Sequence, residues 1–487
     1  MIIVDFRQRF DAPRNSWFSE AIRSHATVKA GKRTLEAAMY TGAVKGPRRV
    51  AALLVVALLA GLVASRAVAQ EVVEATLDNG LRVLLQEDHR SPVASVQIWY
   101  RVGSRDERVG LTGLSHYLEH MMFKGTPTYG PRVFSKLIET VGGQDNAFTS
   151  RDVTVYHVIV AAEQLDLVLE LEADRMRHLL LDPREIDAER KVVLEERRTR
   201  TEDDPVGALA ELFNTITFAA HPYRLPTIGL AHDIERLTAQ DLRSWYDTYY
   251  RPNNAIVAIA GDFPMAELLQ KIRTRFGGIP SGAAPPRIEV LEPEQRGERR
   301  VWLRKESQLA VVFIGYPTPN HGSPDAYALE VLSTVLSGGR ASRLYQRLVY
   351  EEGLALEAGG DYSRLSLDPD TFTFYVTLLP DRAVEEAERA LEAELERLRR
   401  ELISDEELQR AQNQLDASYR FDQDSVYNRA ATLARHELLG GWRLGEAYLP
   451  GIRAVTREDV RRVAERYLVP ERRTTAILVP TPPAAKP

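Results

Sequence analysis

The chain repeats itself, and this restricts its fold more than any other feature of the sequence. The stretch "LTAQDLRSWYDTYYRPNNAIVAIAGD" from Leu237 aligns without a gap with "VTREDVRRVAERYLVPERRTTAILVP" from Val455, 218 positions further on. Thr238 meets Thr456, Asp241 meets Asp459, Tyr249 meets Tyr467 and Pro252 meets Pro470. Each copy opens on a threonine suited to cap a helix, continues as an amphipathic helix, and breaks at proline before a β-rich run. Such a pattern implies a tandem duplication of one α+β unit. Between the copies lies "GGIPSGAAPPRIEVLEPEQRGE", rich in Gly and Pro and without periodicity, the composition of an extended linker. Domains are therefore expected at 71–276 and 297–480, joined by a linker at 277–296 and followed by a proline-rich tail at 481–487. Within the first unit, "GLRVLLQED", "SVQIWYRVG", "DVTVYHVIVA" and "NAIVAIAGD" read as strands, with helical patterns between them but no strict alternation. Sheets covered by helices fit this order better than a doubly wound parallel sheet.

With 44% hydrophobic and 27% charged residues over 487 positions, the chain has enough apolar content for two cores. Its net charge of −6, with no basic block beyond the N-terminus, argues against a nucleic-acid partner. Cysteine is absent, so any metal must be held by nitrogen and oxygen. Residues 1–69 read as a leader. "KGPRRVAALLVVALLAGLVASRAVAQ" has a basic start, an apolar run from Val50 to Ala64 and a small-residue cleavage site at Ala67-Val68-Ala69, the pattern of a secretory signal peptide. A retained membrane anchor is the alternative, but the run is shorter than the roughly 20 residues that span a bilayer, and Arg66 ends it. Met39 would give a leader of ordinary length, which would place residues 1–38 upstream of the true start. Asp5, Asp11 and Glu20 do not suit a mitochondrial presequence. The expectation is a periplasmic protein with no stable membrane span once the leader is removed.

The chemistry concentrates in "GLSHYLEHMMFKGT", Gly113 to Thr126. On a helical wheel Leu114, Leu118, Met121 and Met122 share one face, while His116, Glu119 and His120 fall on the other. Two imidazoles one turn apart can converge on one ion, and Glu119 lies within reach of a water beside it. The plain alternative is a solvated polar face. A catalytic zinc usually takes three protein ligands, so a third must come from elsewhere. In "DPREIDAERKVVLEERRTRTEDD" the residues Ile186, Glu189, Val193 and Glu196 fall within a narrow arc, which puts Glu189 and Glu196 on the stripe that should face the core. Glu195 points away. Carboxylates on a buried stripe need a partner, and a cation is the obvious one.

These residues resemble the inverted zinc-peptidase motif, H-x-x-E-H, of the pitrilysin and insulinase group (family M16). The resemblance runs from about Glu74 to Val479 and includes "NAFTSRDVTVYH", "HPYRLPTIG" and "YYRPNNAIVAIAGDF". It looks closest to the smaller bacterial and processing-peptidase-like members, which have two homologous domains per chain. It implies a zinc endopeptidase with one zinc per chain, held by His116, His120 and a glutamate 76 residues past the second histidine, which is Glu196. It further implies that Glu119 is the general base and that Glu189 supports the site from behind the ligands. Asn146, Ala147 and Thr149 match the strand against which the family's peptide substrates are added. An ordinary edge strand is the alternative there.

One departure stands out. Active single-chain relatives carry, in the second domain, an Arg and a Tyr seven residues later, but here those positions hold Val349 and Leu356, whose side chains donate no hydrogen bond. Tyr345, Arg347 and Tyr350 are nearby but out of register. The resemblance thus implies the zinc-bearing half of a two-subunit peptidase, with a homologous partner supplying the Arg/Tyr pair. The competing readings are a non-catalytic assembly subunit of a larger complex and a maturase dedicated to one peptide precursor.

Overall fold

A computed structural model describes residues 71–482. The expected leader, and the tail from 483 on, lie outside the described residues. Strands β1 (Val72–Thr76), β2 (Arg82–Glu87), β3 (Val93–Tyr100), β4 (Gln144–Thr149), β5 (Thr154–Ala161) and β6 (Ala255–Gly261) form one sheet in the order β1-β2-β6-β3-β5-β4. Strands β7 (Arg299–Glu306), β8 (Val311–Thr318), β9 (Ala355–Tyr362), β10 (Asp370–Leu378) and β11 (Thr474–Thr481) form a second, ordered β7-β11-β8-β10-β9. Setting β1 aside, the two orders correspond strand for strand. Each sheet also has one parallel pair, β2 with β6 and β7 with β11, among antiparallel neighbours. The α+β duplication expected from the sequence is the observed architecture.

Among other helices, the first half contributes α1 (Leu114–Met121), α2 (Pro183–Arg197), α3 (Pro205–Thr217) and α4 (Ala239–Tyr249). The second half contributes α5 (Ala326–Ser337), α6 (Asp405–Asp422), α7 (Val426–Leu438) and α8 (Arg457–Tyr467). The repeated segments fold alike. Thr238 and Thr456 cap α4 and α8, each accepting from an aspartate N–H three residues on at 3.1 Å, and each helix leads through a 3₁₀ turn at proline into the last strand of its sheet.

The central strand β6, "AIVAIAG", is apolar throughout and buried at every position, so both faces of its sheet must be covered. Helices of the first half cover one face, with α1 among them. The other is covered by α7 of the second half, whose Ala430, Leu433 and Ala434 pack on Leu84, Trp99, Ile256 and Ala258. The exchange is reciprocal: Leu209 and Phe213 of α3 pack on Val311, Ala476 and Leu478 of the second sheet. Each half thus lends a helix to the other's sheet. Among the described residues, no helix is long and apolar enough to cross a membrane.

Candidate metal centre

Helix α1 starts at Gly113, where φ is 89° and an added Cβ would come within 2.7 Å of the Ile228 carbonyl oxygen, so only glycine fits. Its first turn is capped from a distance. The two oxygens of Glu107 accept from the Gly113 and Ser115 N–H groups, both at 2.7 Å, placing a carboxylate at the positive end of the helix. Burial pushes the Glu107 carboxyl up to about 8, against the pull of those backbone donors. Leu114, Tyr117, Leu118 and Met121 anchor the inner face of α1 in the first core. The outer face is not open to solvent as a free polar face would be. Helix α2 packs over it, the Tyr117 hydroxyl bonds the Ile186 carbonyl of that helix, and His116 is only 7% exposed.

This packing brings His116, His120 and Glu196 together. His116 Nε2 lies 3.6 Å from Glu196 Oε1, and His120 Nε2 lies 3.3 Å from Glu196 Oε2. One ligand atom from each of the three falls within 4.8 Å of the others. A tetrahedral zinc with bonds of about 2.0–2.1 Å separates its ligand atoms by roughly 3.3 Å, so the spacing and the nitrogen–oxygen donor set suit such an ion. Burial opposes a charge on His120, yet the Glu189 and Glu196 carboxylates outweigh it and push the imidazole up to about 9. Although burial works against its ionised form, His116 and His120 hold the Glu196 carboxyl well below the usual carboxylate range. The cluster attracts positive charge.

Glu189, the buried acid of the α2 stripe, bonds His120 Nδ1 at 2.9 Å, and the Lys124 ammonium pairs with its other oxygen. Glu189 holds the proton on Nδ1, so the proton that Nε2 shares with Glu196 is the one a cation would displace to reach the Nε2 lone pair. Glu195 points outward and pairs with Arg198, as the wheel required. Arg200, in the π-helical turn Arg198–Glu202 that follows α2, meets Glu196 Oε1 at 2.7 Å.

Strand β4 is the edge of its sheet, and Thr149 at its end donates to Glu119 Oε2 at 2.5 Å. Further along, Asn146 is exposed and its Oδ1 accepts from the Ala147 N–H at 2.8 Å. In the second half Val349 packs against the core, Leu356 is exposed on β9, Arg347 pairs with Glu352 at 2.6 Å, and Tyr350 is exposed. Sequence reasoning missed Glu107, Lys124 and Arg200, and it placed Thr149 on the substrate strand without seeing its bond to Glu119. Nothing in the spacing of Glu107 from α1 marks it as a cap, whereas Arg200, one helical turn beyond Glu196, had a readable i, i+4 relation.

The family profile described as Insulinase (Peptidase family M16) matches residues 82–230, and the profile described as Peptidase M16 inactive domain matches residues 236–415. The zinc protease PqqE of Helicobacter pylori is 32% identical over 409 residues, which cover 83% of this chain and 92% of that protein. An uncharacterized zinc protease of Mycobacterium bovis is 34% identical over 410 residues, with the same two coverages of 83% and 92%. The crystal structure of a protease from Helicobacter pylori superposes with a TM-score of 0.82 at 32% identity, covering 84% of this chain and all of that one. With likeness of this extent spanning both halves, the chain belongs to the insulinase family of zinc peptidases, M16.

Proposed function

We propose that the chain is a zinc endopeptidase that binds one zinc per chain through His116, His120 and Glu196. The carrying observation is the convergence of these three side chains with Glu119 on the helical turn between the two histidines. When bound, zinc supplies Lewis acidity that polarises the scissile carbonyl and acidifies a water. Glu119 takes the proton of the attacking water and passes it to the leaving amine, and the Thr149 hydroxyl holds its carboxylate in place. Glu189 fixes the tautomer and ring of His120, with Lys124 balancing its charge.

Peptide substrate adds along the outer edge of β4, where Asn146, Ala147 and Thr149 stand; the Ala147 N–H pairs with substrate once Asn146 swings aside. Leader removal after Ala69 would release the mature chain to the periplasm. Because Val349 and Leu356 offer no donors, a homologous partner subunit bearing the Arg/Tyr pair completes the substrate wall. Removing one oxyanion donor typically costs about a hundredfold or more in turnover, so this chain alone should cleave peptides slowly and a partner should restore the rate. Full single-chain turnover, unchanged by the partner at matched zinc, overturns that part of the reading. Elemental analysis tests the metal. Purified protein should hold about one zinc, His120→Ala should lose it, and Glu189→Gln should weaken it roughly 10- to 100-fold. Protein that takes up no zinc on reconstitution sinks the proposal.

A further inference from the structure

The segment "HPYRLPTIG", residues 221–229, takes no part in this chemistry, yet His221 and Tyr223 are buried where the two halves meet. The Tyr223 hydroxyl donates to Asp152 Oδ1 at 2.6 Å and accepts from the Asp368 N–H at 3.2 Å. Asp152 Oδ2 accepts from the Leu367 N–H at 3.0 Å. His221 Nδ1 accepts from the Tyr223 N–H at 3.2 Å, so its own proton sits on Nε2 and is donated to Asp368 Oδ2 at 2.9 Å. Arg105 joins Asp368 at 2.6 Å. Arg151 pairs with Asp370 at 3.1 Å and lies over the Tyr223 ring, 4.9 Å from its centre.

Leu367 and Asp368 belong to the turn between β9 and β10 in the second half, while Arg151 and Asp152 belong to the β4–β5 turn in the first. Buried polar groups in such a network must satisfy one another, so the two turns are held in one arrangement. The β4–β5 turn begins directly after Thr149, the residue bonded to Glu119. It has no slack. Ser150 N–H bonds the Val153 carbonyl at 2.8 Å, Ser150 and Arg151 carbonyls accept from Ser104 and Arg105 N–H groups at 3.2 and 2.9 Å, and a Cβ on Gly103 would come within 2.4 Å of the Arg151 oxygen.

We infer that the second half, which supplies none of the proposed zinc ligands, acts in the hydrolysis through this clamp: its β9–β10 turn, gripped by Tyr223 and His221, positions Thr149 against Glu119. Tyr223 is a positioning residue. The inference rests on the reading of Glu119 as general base, and it predicts coupling between Tyr223 and Thr149, which share no hydrogen bond. Misplacement of a catalytic group by less than an ångström costs on the order of tenfold.

The test is a double-variant cycle on the zinc-loaded full chain, with peptide turnover and zinc content as readouts. Tyr223→Phe keeps the ring and removes the bridging hydroxyl. It should lower kcat about tenfold at unchanged zinc content, and in a Thr149→Val background it should cause no further loss. Glu437→Gln removes a different tie between the halves, the 2.7 Å contact with Arg82, and should leave kcat unchanged. Full turnover in Tyr223→Phe, a loss that adds to that of Thr149→Val, or an equal loss in Glu437→Gln overturns the inference. If Tyr223→Phe does not fold, His221→Gln, which keeps an N–H for Asp368, should retain the activity that His221→Leu loses; equal activity in those two also overturns it. Activity in Glu119→Gln would sink the base assignment itself, whereas an inactive Glu119→Gln with an additive cycle sinks the clamp alone.

Discussion

Helices α1 and α5 occupy the same place in the two halves, each being the first long helix after β3 or β8. Their side chains diverge completely. Helix α1 reads "LSHYLEHM"; α5 reads "AYALEVLSTVLS", with no histidine and one acid, and its Leu332, Val335 and Leu336 are buried in the second core. Counted from the caps Asp182 and Ser404, Glu189 and Glu196 of α2 fall on Ala411 and Ser418 of α6. Strand order, capping box and helix exchange are common to both halves because each is needed to close a core. Imidazoles and carboxylates packed between two helices carry a desolvation cost that only a cation or a paired charge offsets. At the matching places the second half carries the buried apolar residues Leu332, Val335, Leu336 and Ala411. Fold and chemistry are therefore separable within one chain.

The sharpest way to break that division is to neutralise one acid in each half. Glu119→Gln should lower peptide turnover by roughly 10²- to 10⁴-fold while zinc stays bound, because it removes the base and leaves the proposed ligands in place. Glu330→Gln, the one acid of α5, should leave turnover unchanged. Its carboxylate holds Tyr448 at 2.8 Å and Arg364 at 2.9 Å, so its replacement should lower the melting temperature instead. Turnover at matched zinc occupancy and calorimetry decide this. Loss of activity in Glu330→Gln would mean the second half contributes more than positioning.

Legibility followed the same division. The duplication was readable from its self-match at an offset of 218 and the orientation of Glu189 and Glu196 from the helical period, whereas the strand around "NAFTSRD" followed only from the family resemblance. The exchange of α3 and α7 was not. The apolar stripe of α7 says that Ala430 and Leu433 are buried, but nothing in it says that they lie on Trp99 and Ile256 of the other half. The wheel sets His116 on the polar side of α1, yet that face is roofed by α2, and a wheel drawn for one helix cannot show its neighbour. Glu107 reaches α1 across a loop, and the Tyr223–Asp152–Asp368 clamp joins residues more than 70 and 140 positions apart.

The seam between the halves should yield to acid. His157 on β5 packs edge-on to Tyr427 of α7, at 4.9 Å between ring centres, and His436 sits buried on α7 with Nδ1 donating to the Thr432 carbonyl at 2.8 Å. Burial pushes both imidazoles down to about 4, with Arg175 facing His157 in the same sense and Asp145 opposing it. Arg364, Arg435 and His321 likewise disfavour a charge on His436. In the unfolded chain each titrates near 6.5, so it takes up protons that the folded chain refuses. The stabilisation is complete above about 6.5 and is lost as pH falls from there through 4. A shift of this size corresponds to at most about 3 kcal/mol per group. Denaturant titrations from pH 7 to 4 should therefore show falling stability, and His436→Gln should flatten the slope. A slope unchanged in that variant would remove His436 from the account.

The smallest effect tests the part of the comparison in which the halves agree. Thr238 and Thr456 occupy matching capping boxes: the side chain of each meets the carboxylate of Asp241 or Asp459, at 2.6 and 2.7 Å, and that carboxylate accepts the threonine's own N–H. Thr238→Ala and Thr456→Ala should each cost about 1 kcal/mol in zinc-free protein, and the two losses should add because the sites share no partner. A small asymmetry is expected. Arg462 holds the other oxygen of Asp459 at 2.9 Å, so that carboxylate stays poised over the helix start when the threonine hydroxyl is gone, and the loss at α8 should be smaller by a few tenths of a kcal/mol. Chemical denaturation of the two single variants and the double variant measures this. A loss confined to one copy would show that the halves have diverged in local stability as well as in chemistry, whereas near-equal losses would show that the two caps have kept a common stability while the side chains of α1 and α5 diverged.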